Sequence, residues 1–158
     1  MQPIDRFTLD PLPRPSDDEP LRSRLMEGDV ERAVVEGIWL EGQFALNGGR
    51  LLLLTSYGTP WEGSVHLVVL GEGFALLDHY VIWTMFADSF VEAVALEDGA
   101  LSFSTHGRRF EVRARMSPGL ALPPLGPNGL RRELPPWRPT HLAVSSRAET
   151  ERRQEAEA

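Results

Sequence analysis

The chain has no cysteine and no lysine: all 16 basic residues are arginine. Without cysteine there are no disulfides, no thiol nucleophile and no thiolate-bound zinc. Without lysine there is no Schiff-base chemistry and no P-loop. Long apolar runs are missing too. The longest stretch, Phe74 to Phe86, contains Asp78 and His79 and is too short and too polar to span a bilayer. The opening MQPIDRFTLDPLPRP has no apolar core of a secretory signal. A cytoplasmic protein is therefore expected, and the arginine-only usage fits a GC-rich bacterial genome.

The net charge is −7, and residues 28–117 alone carry −6. A phosphate backbone would be repelled by that domain, so nucleic acid is not an expected partner. At 158 residues the chain suits one domain with a real core.

Proline and glycine divide the chain. Five of the 13 prolines lie in residues 1–27, seven lie beyond residue 117, and Pro60 stands alone between them. Eleven of the 14 glycines lie in that middle region. Glycine between apolar runs reads as tight turns, and clustered proline reads as extended arms. Three segments follow. Residues 1–28 form a proline-rich arm with a short helix, since Ser16 and Glu19 have capping-box spacing and Leu21 and Leu25 share a helical face. Residues 29–117 form the β domain. Residues 118–158 form a second proline-rich arm, ending after Ser146 and Glu149 in a polar helical or disordered tail.

The fold class expected is all-β: an antiparallel up-and-down meander of seven to eight strands, as a small barrel or strongly curved sheet with short peripheral helices. The strands are read at 30–40, 43–47, 50–57, 63–70, 74–83, 90–97, 100–105 and 108–116. Pairing residues across Asp98-Gly99 sets Leu96 against Leu101 and Val94 against Phe103. Pairing across His106-Gly107 sets Phe103 against Phe110 and Leu101 against Val112. Both turns give one buried face, which is the mark of a true register. Glu41-Gly42 reads as a further turn, and Asn47-Gly48-Gly49 as a hairpin loop. Strands 50–57 and 74–83 are apolar on both faces and so need cover on both.

Chemistry is sparse. If Leu70 opposes Phe74, then His66 opposes Asp78, a weak candidate for a catalytic dyad. A one-residue shift sets His66 against His79, a weak candidate metal pair. No cofactor is expected, and Gly71-Glu72-Gly73 lacks the helix of a nucleotide loop. Trp39, Tyr57, Trp61, Tyr80 and Trp83 are candidates to line a ligand cavity or a partner contact. Arg109, Arg113 and Arg115 share the polar face of the last predicted strand, as a contact stripe or as protection of an edge. Trp137, among prolines and arginines, could dock in a partner's groove or fold back on its own sheet. The function expected is a non-catalytic module that binds another protein, or a second copy of itself, through its sheet face and arms. The competing readings are a small barrel holding an apolar molecule and a His/Asp-dependent hydrolase.

Overall fold

The computed structural model describes residues 1–58, 62–85, 90–119 and 129–148. Thirteen strands among these residues form three antiparallel sheets. In chain order they are β1 (Gln2–Pro3), β2 (Thr8–Pro11), β3 (Arg22–Glu27), β4 (Val30–Glu36), β5 (Trp39–Leu46), β6 (Arg50–Ser56) and β7 (Glu62–Leu70). A 3₁₀ turn at Glu72–Phe74 follows, then β8 (Leu76–Met85), β9 (Glu92–Glu97), β10 (Ala100–Thr105), β11 (Arg108–Gly119), β12 (Leu130–Arg132) and β13 (Thr140–Ala148). No helix of the described residues is long and apolar enough to cross a membrane.

The central sheet runs β1-β5-β6-β7-β8-β12. Its strands β6 and β7 are buried at nearly every described position, because each face meets another sheet. Even-numbered Leu52 and Leu54 join Val65, Leu67 and Val69 against Leu101, Phe103, Phe110, Val112 and Leu142 of the sheet β13-β11-β10-β9. Odd-numbered Leu51 and Leu53 join Val68 and Leu70 against Phe7, Leu25 and Val35 on the side of the sheet β2-β3-β4. All four leucines are at most 8% exposed, and each contributes about 2 kcal/mol by leaving water. The molecule is thus three layers with two cores.

Several expectations are corrected by this layering. No sheet closes into a barrel among the described residues, since each keeps two edge strands. With both faces of β6 and β7 covered by separate sheets, closure is not needed to bury them. The helix expected before Gly28 is the strand β3. A spacing of four, as between Leu21 and Leu25, is even, so it fits a strand as well as a helix. Burial of Ser23 and Leu25 between exposed Arg22 and Arg24 shows the period of two. Gly28, at φ +57°, turns the β3–β4 hairpin and ends no helix. Ser146 lies in β13, and Glu149 with the rest of the expected tail helix lies outside the described residues.

Glu41-Gly42 is not a turn. One strand, β5, runs through it with a bulge between Leu40 and Gly42. The Asn47-Gly48-Gly49 loop does join β5 to β6, with Leu46 opposite Arg50. In the outer sheet the β10–β11 register is Leu101 to Val112 and Phe103 to Phe110, and Leu96 faces Leu101. Both hairpin turns have two successive positive φ angles, 49° and 73° at Asp98-Gly99 and 53° and 67° at His106-Gly107, the geometry that matches strand twist. The expected pairing of Val94 with Phe103 fails. Ala93 adopts φ 50° in a bulge, and Val94 is left exposed.

Candidate functional site

The β7–β8 hairpin decides which polar groups meet. The 3₁₀ turn closes it with Gly71 N–H donating to Ala75 carbonyl at 2.8 Å, and a bulge follows between Val69 and Leu70. Leu70 therefore opposes Leu76, not Phe74, while His66 opposes Val81, Val68 opposes His79 and Val69 opposes Asp78. Relative to the expected register Asp78 has moved by an odd number of residues, which turns it to the opposite face of the sheet. The His66–Asp78 dyad does not form.

His79 instead shares a face with His66, as a diagonal neighbour. His66 Nδ1 lies 3.1 Å from His79 Nε2, and the rings stack with centroids 5.3 Å apart. Ser64 Oγ lies 2.8 Å from His66 Nε2, and the Tyr57 ring sits 5.0 Å from the His66 ring. Glu36 reaches in from β4 in the neighbouring layer, its Oε2 3.7 Å from His66 Nδ1. The ligand atoms of Glu36, His66 and His79 all lie within 4.8 Å of one another.

Burial sets the charges of these groups. It pushes His66 down to about 3, with His79 adding to the effect. It lowers His79 as well, against the opposing pull of Glu133 and Asp78. It raises the Glu36 carboxyl, while Arg22 and Arg131 act the other way. Tyr57 is pushed up to about 12, chiefly by burial and then by Glu36. At neutral pH the two imidazoles are therefore neutral, and they face a carboxyl group whose charged form burial disfavours. It opens on a cleft of about 820 Å³ whose walls include Glu36, Tyr57, Ser64, His66, Trp83 and Arg131.

No family model, curated protein or solved structure matches the chain.

On the other face of β8, Asp78 is fully buried and accepts four hydrogen bonds. They come from Arg132 Nε (2.7 Å), Thr140 Oγ1 (2.9 Å), the His141 N–H (2.7 Å) and the His79 N–H (3.2 Å). Arg132 also donates to the carbonyls of Pro135 and Pro139. The carboxylate is a structural pin that ties β8 to β12, β13 and the proline-rich turn between them.

The remaining candidates scatter. Tyr80 is buried in the core beside Thr140, with hydroxyls 2.6 Å apart, and Trp61 lies outside the described residues. Trp83 is half exposed on the cleft rim. Trp137 is 78% exposed, so it does not fold back onto the sheet. Arg109 donates to Ser102, Arg113 pairs with Glu111, and Arg115 donates to the Leu142 carbonyl. Their strand, β11, is interior, because β13 pairs along its outer side. Edge protection therefore does not explain them.

Trp39 is 60% exposed and borders a groove of about 910 Å³ between β2, β5 and β9. Strand β1 covers only Phe44 and Ala45 on the outer side of β5, with Ile4 N–H reaching the Gln43 carbonyl. Among the described residues, the stretch from Trp39 to Gly42 has no neighbouring strand on that side. Asp5 and Glu41 are the charged residues of the groove wall. Glu36, Ser64, Arg132, Thr140 and the open edge were not found from sequence. Only the fold, through pairing of distant segments, assembles them.

Proposed function

We propose that the chain is a non-catalytic binding module that takes an extended segment of another protein along the open edge of β5. The observation that carries this reading is the open Trp39–Gly42 edge, with the exposed Trp39 bordering the groove. Unpaired backbone N–H and C=O groups recruit an added strand, and a neighbouring apolar pocket selects its side chains. The chain's own strands cover both broad faces of the central sheet, which supports the edge over the sheet face as the contact surface. The groove wall is acidic and the chain carries −7. Both favour a peptide with an apolar centre and basic flanks over a second copy of this chain.

Selection of displayed peptides on the immobilised protein tests it. Peptides of that pattern should be enriched, lose binding to Trp39→Asp, and lose binding when their own backbone amides are methylated. Trp39 is exposed, so the variant should fold normally. Failure of any such pattern to emerge, or equal binding to Trp39→Asp, sinks the reading. A dimer in solution that Trp39→Asp dissolves would assign the edge to self-association instead.

A further inference from the structure

We infer that Glu36, His66 and His79 form a binding site for a divalent transition-metal ion of the zinc type, independent of the β5 groove. The geometry is the first argument. A zinc ion about 2.0–2.2 Å from each nitrogen and oxygen donor sets tetrahedral ligands about 3.4 Å apart. Here the His66 Nδ1–His79 Nε2 and His66 Nδ1–Glu36 Oε2 separations are 3.1 and 3.7 Å. The third separation is no more than 4.8 Å, and the Glu36 side chain can rotate to close it.

The hydrogen bonds give a second argument. Between the two facing ring nitrogens there is room for one proton. Whichever ring holds it, the Glu36 oxygen that faces them receives no hydrogen bond from a described residue. Three potential ligand atoms thus converge, in a site where burial penalises a bare carboxylate. A cation satisfies all three at once. The bridging proton then passes to the other nitrogen of its ring or to solvent.

The surroundings complete a metal site. Ser64 engages His66 on Nε2, leaving Nδ1 to point at the cluster, as outer hydrogen bonds do for metal-bound histidine. The Glu36 side chain is 29% exposed, which gives an ion a way in. Three protein donors leave a fourth position, and the adjoining cleft lets water or an anion fill it. Because Glu36 comes from β4 and the histidines from β7 and β8, the ion would bolt the N-terminal sheet to the central one.

The test uses the full chain without an affinity tag, stripped with chelator and titrated with Zn²⁺ by calorimetry and with Co²⁺ by visible absorption. One equivalent should bind, with the absorption bands of nitrogen–oxygen tetrahedral cobalt. His79→Gln and His66→Gln should weaken binding by roughly 100-fold or more, Glu36→Gln by roughly 10-fold, and His141→Gln should leave it unchanged. Zinc should raise the melting temperature of the wild type and of Trp39→Asp but not of His79→Gln. Should a histidine variant misfold, Glu36→Gln decides, since that side chain lies at the cleft surface. Absence of stoichiometric binding, or binding equal in Glu36→Gln and wild type, overturns the inference.

Discussion

Asp78 shows how one residue can be conspicuous in a sequence for the wrong reason. A carboxylate in an apolar run invites a catalytic reading, yet its four hydrogen bonds hold three strands together. Its ion pair with Arg132 is dry, with side chains 0% and 4% exposed. Removing one member of such a pair strands the other charge and costs about 3–5 kcal/mol. Asp78→Ala should therefore lower unfolding stability by about that much in urea titration. Asp78→Leu combined with Arg132→Met should cost much less than the two single changes added together, because neither charge is then left alone. Additive losses would mean that the pair is not the unit of stability. The two histidines were legible as candidates from their hairpin alone. Glu36 was not, because it lies 30 residues before His66 in the chain and on another sheet.

At the scale of elements, what could be read was what two adjacent strands decide between themselves. The β10–β11 register follows from His106-Gly107 and from matching apolar faces, and the structure has that register. Bulges escaped because they add one residue without changing composition: those at Ala93 and at Val69–Leu70 each moved a predicted pairing, and the one at Leu40–Gly42 lies where a turn was expected. Of the N-terminal sheet only β4 was legible, within the strand expected at 30–40; β2 is short and ends on Pro11, and β3 stands where a helix was expected. The link from this sheet to the central one is Gly37, at φ +107°. Gly37 N–H donates to the Leu21 carbonyl, and its own carbonyl accepts from Ser23 Oγ. A Cβ there would stand 2.6 Å from Thr55 Oγ1 and 2.7 Å from Thr55 Cβ. Thr55 cannot retreat freely, since it is buried and donates to the Glu36 carbonyl. Gly37→Ala should cost at least about 2 kcal/mol, combining left-handed strain with the clash. Gly28→Ala, with no atom within 4 Å of the added Cβ, should cost about 1 kcal/mol. Denaturant midpoints compare the two, and equal losses would show that the junction yields.

For the whole molecule, the question is how three layers respond to acid. His66, His79 and His141 all have lowered pKa values, burial being the first cause in each. A base with a lowered native pKa rejects the proton that the unfolded chain accepts near 6.5. Its stabilising effect is therefore complete above pH 6.5 and is lost as pH falls below it, down to about 3 for His66. Glu36 acts in the opposite sense, because its raised pKa makes the native state the better proton acceptor as acid is added. Its effect begins as pH falls through that raised value and is complete below the unfolded carboxylate range, so it offsets part of the histidine loss. Relief of the −7 net charge also opposes the loss, but salt screens that term and leaves the buried histidines untouched. In high salt and without metal, the melting temperature should drop by about 5 °C between about pH 7 and pH 5, on the scale of about 2 kcal/mol for a chain of this size. His66→Asn should flatten that slope while shifting the plateau. A melting temperature level across the window, or a slope unaltered by the variant, would place the acid sensitivity elsewhere. The cluster between the N-terminal and central sheets would then not be the point at which the layers separate.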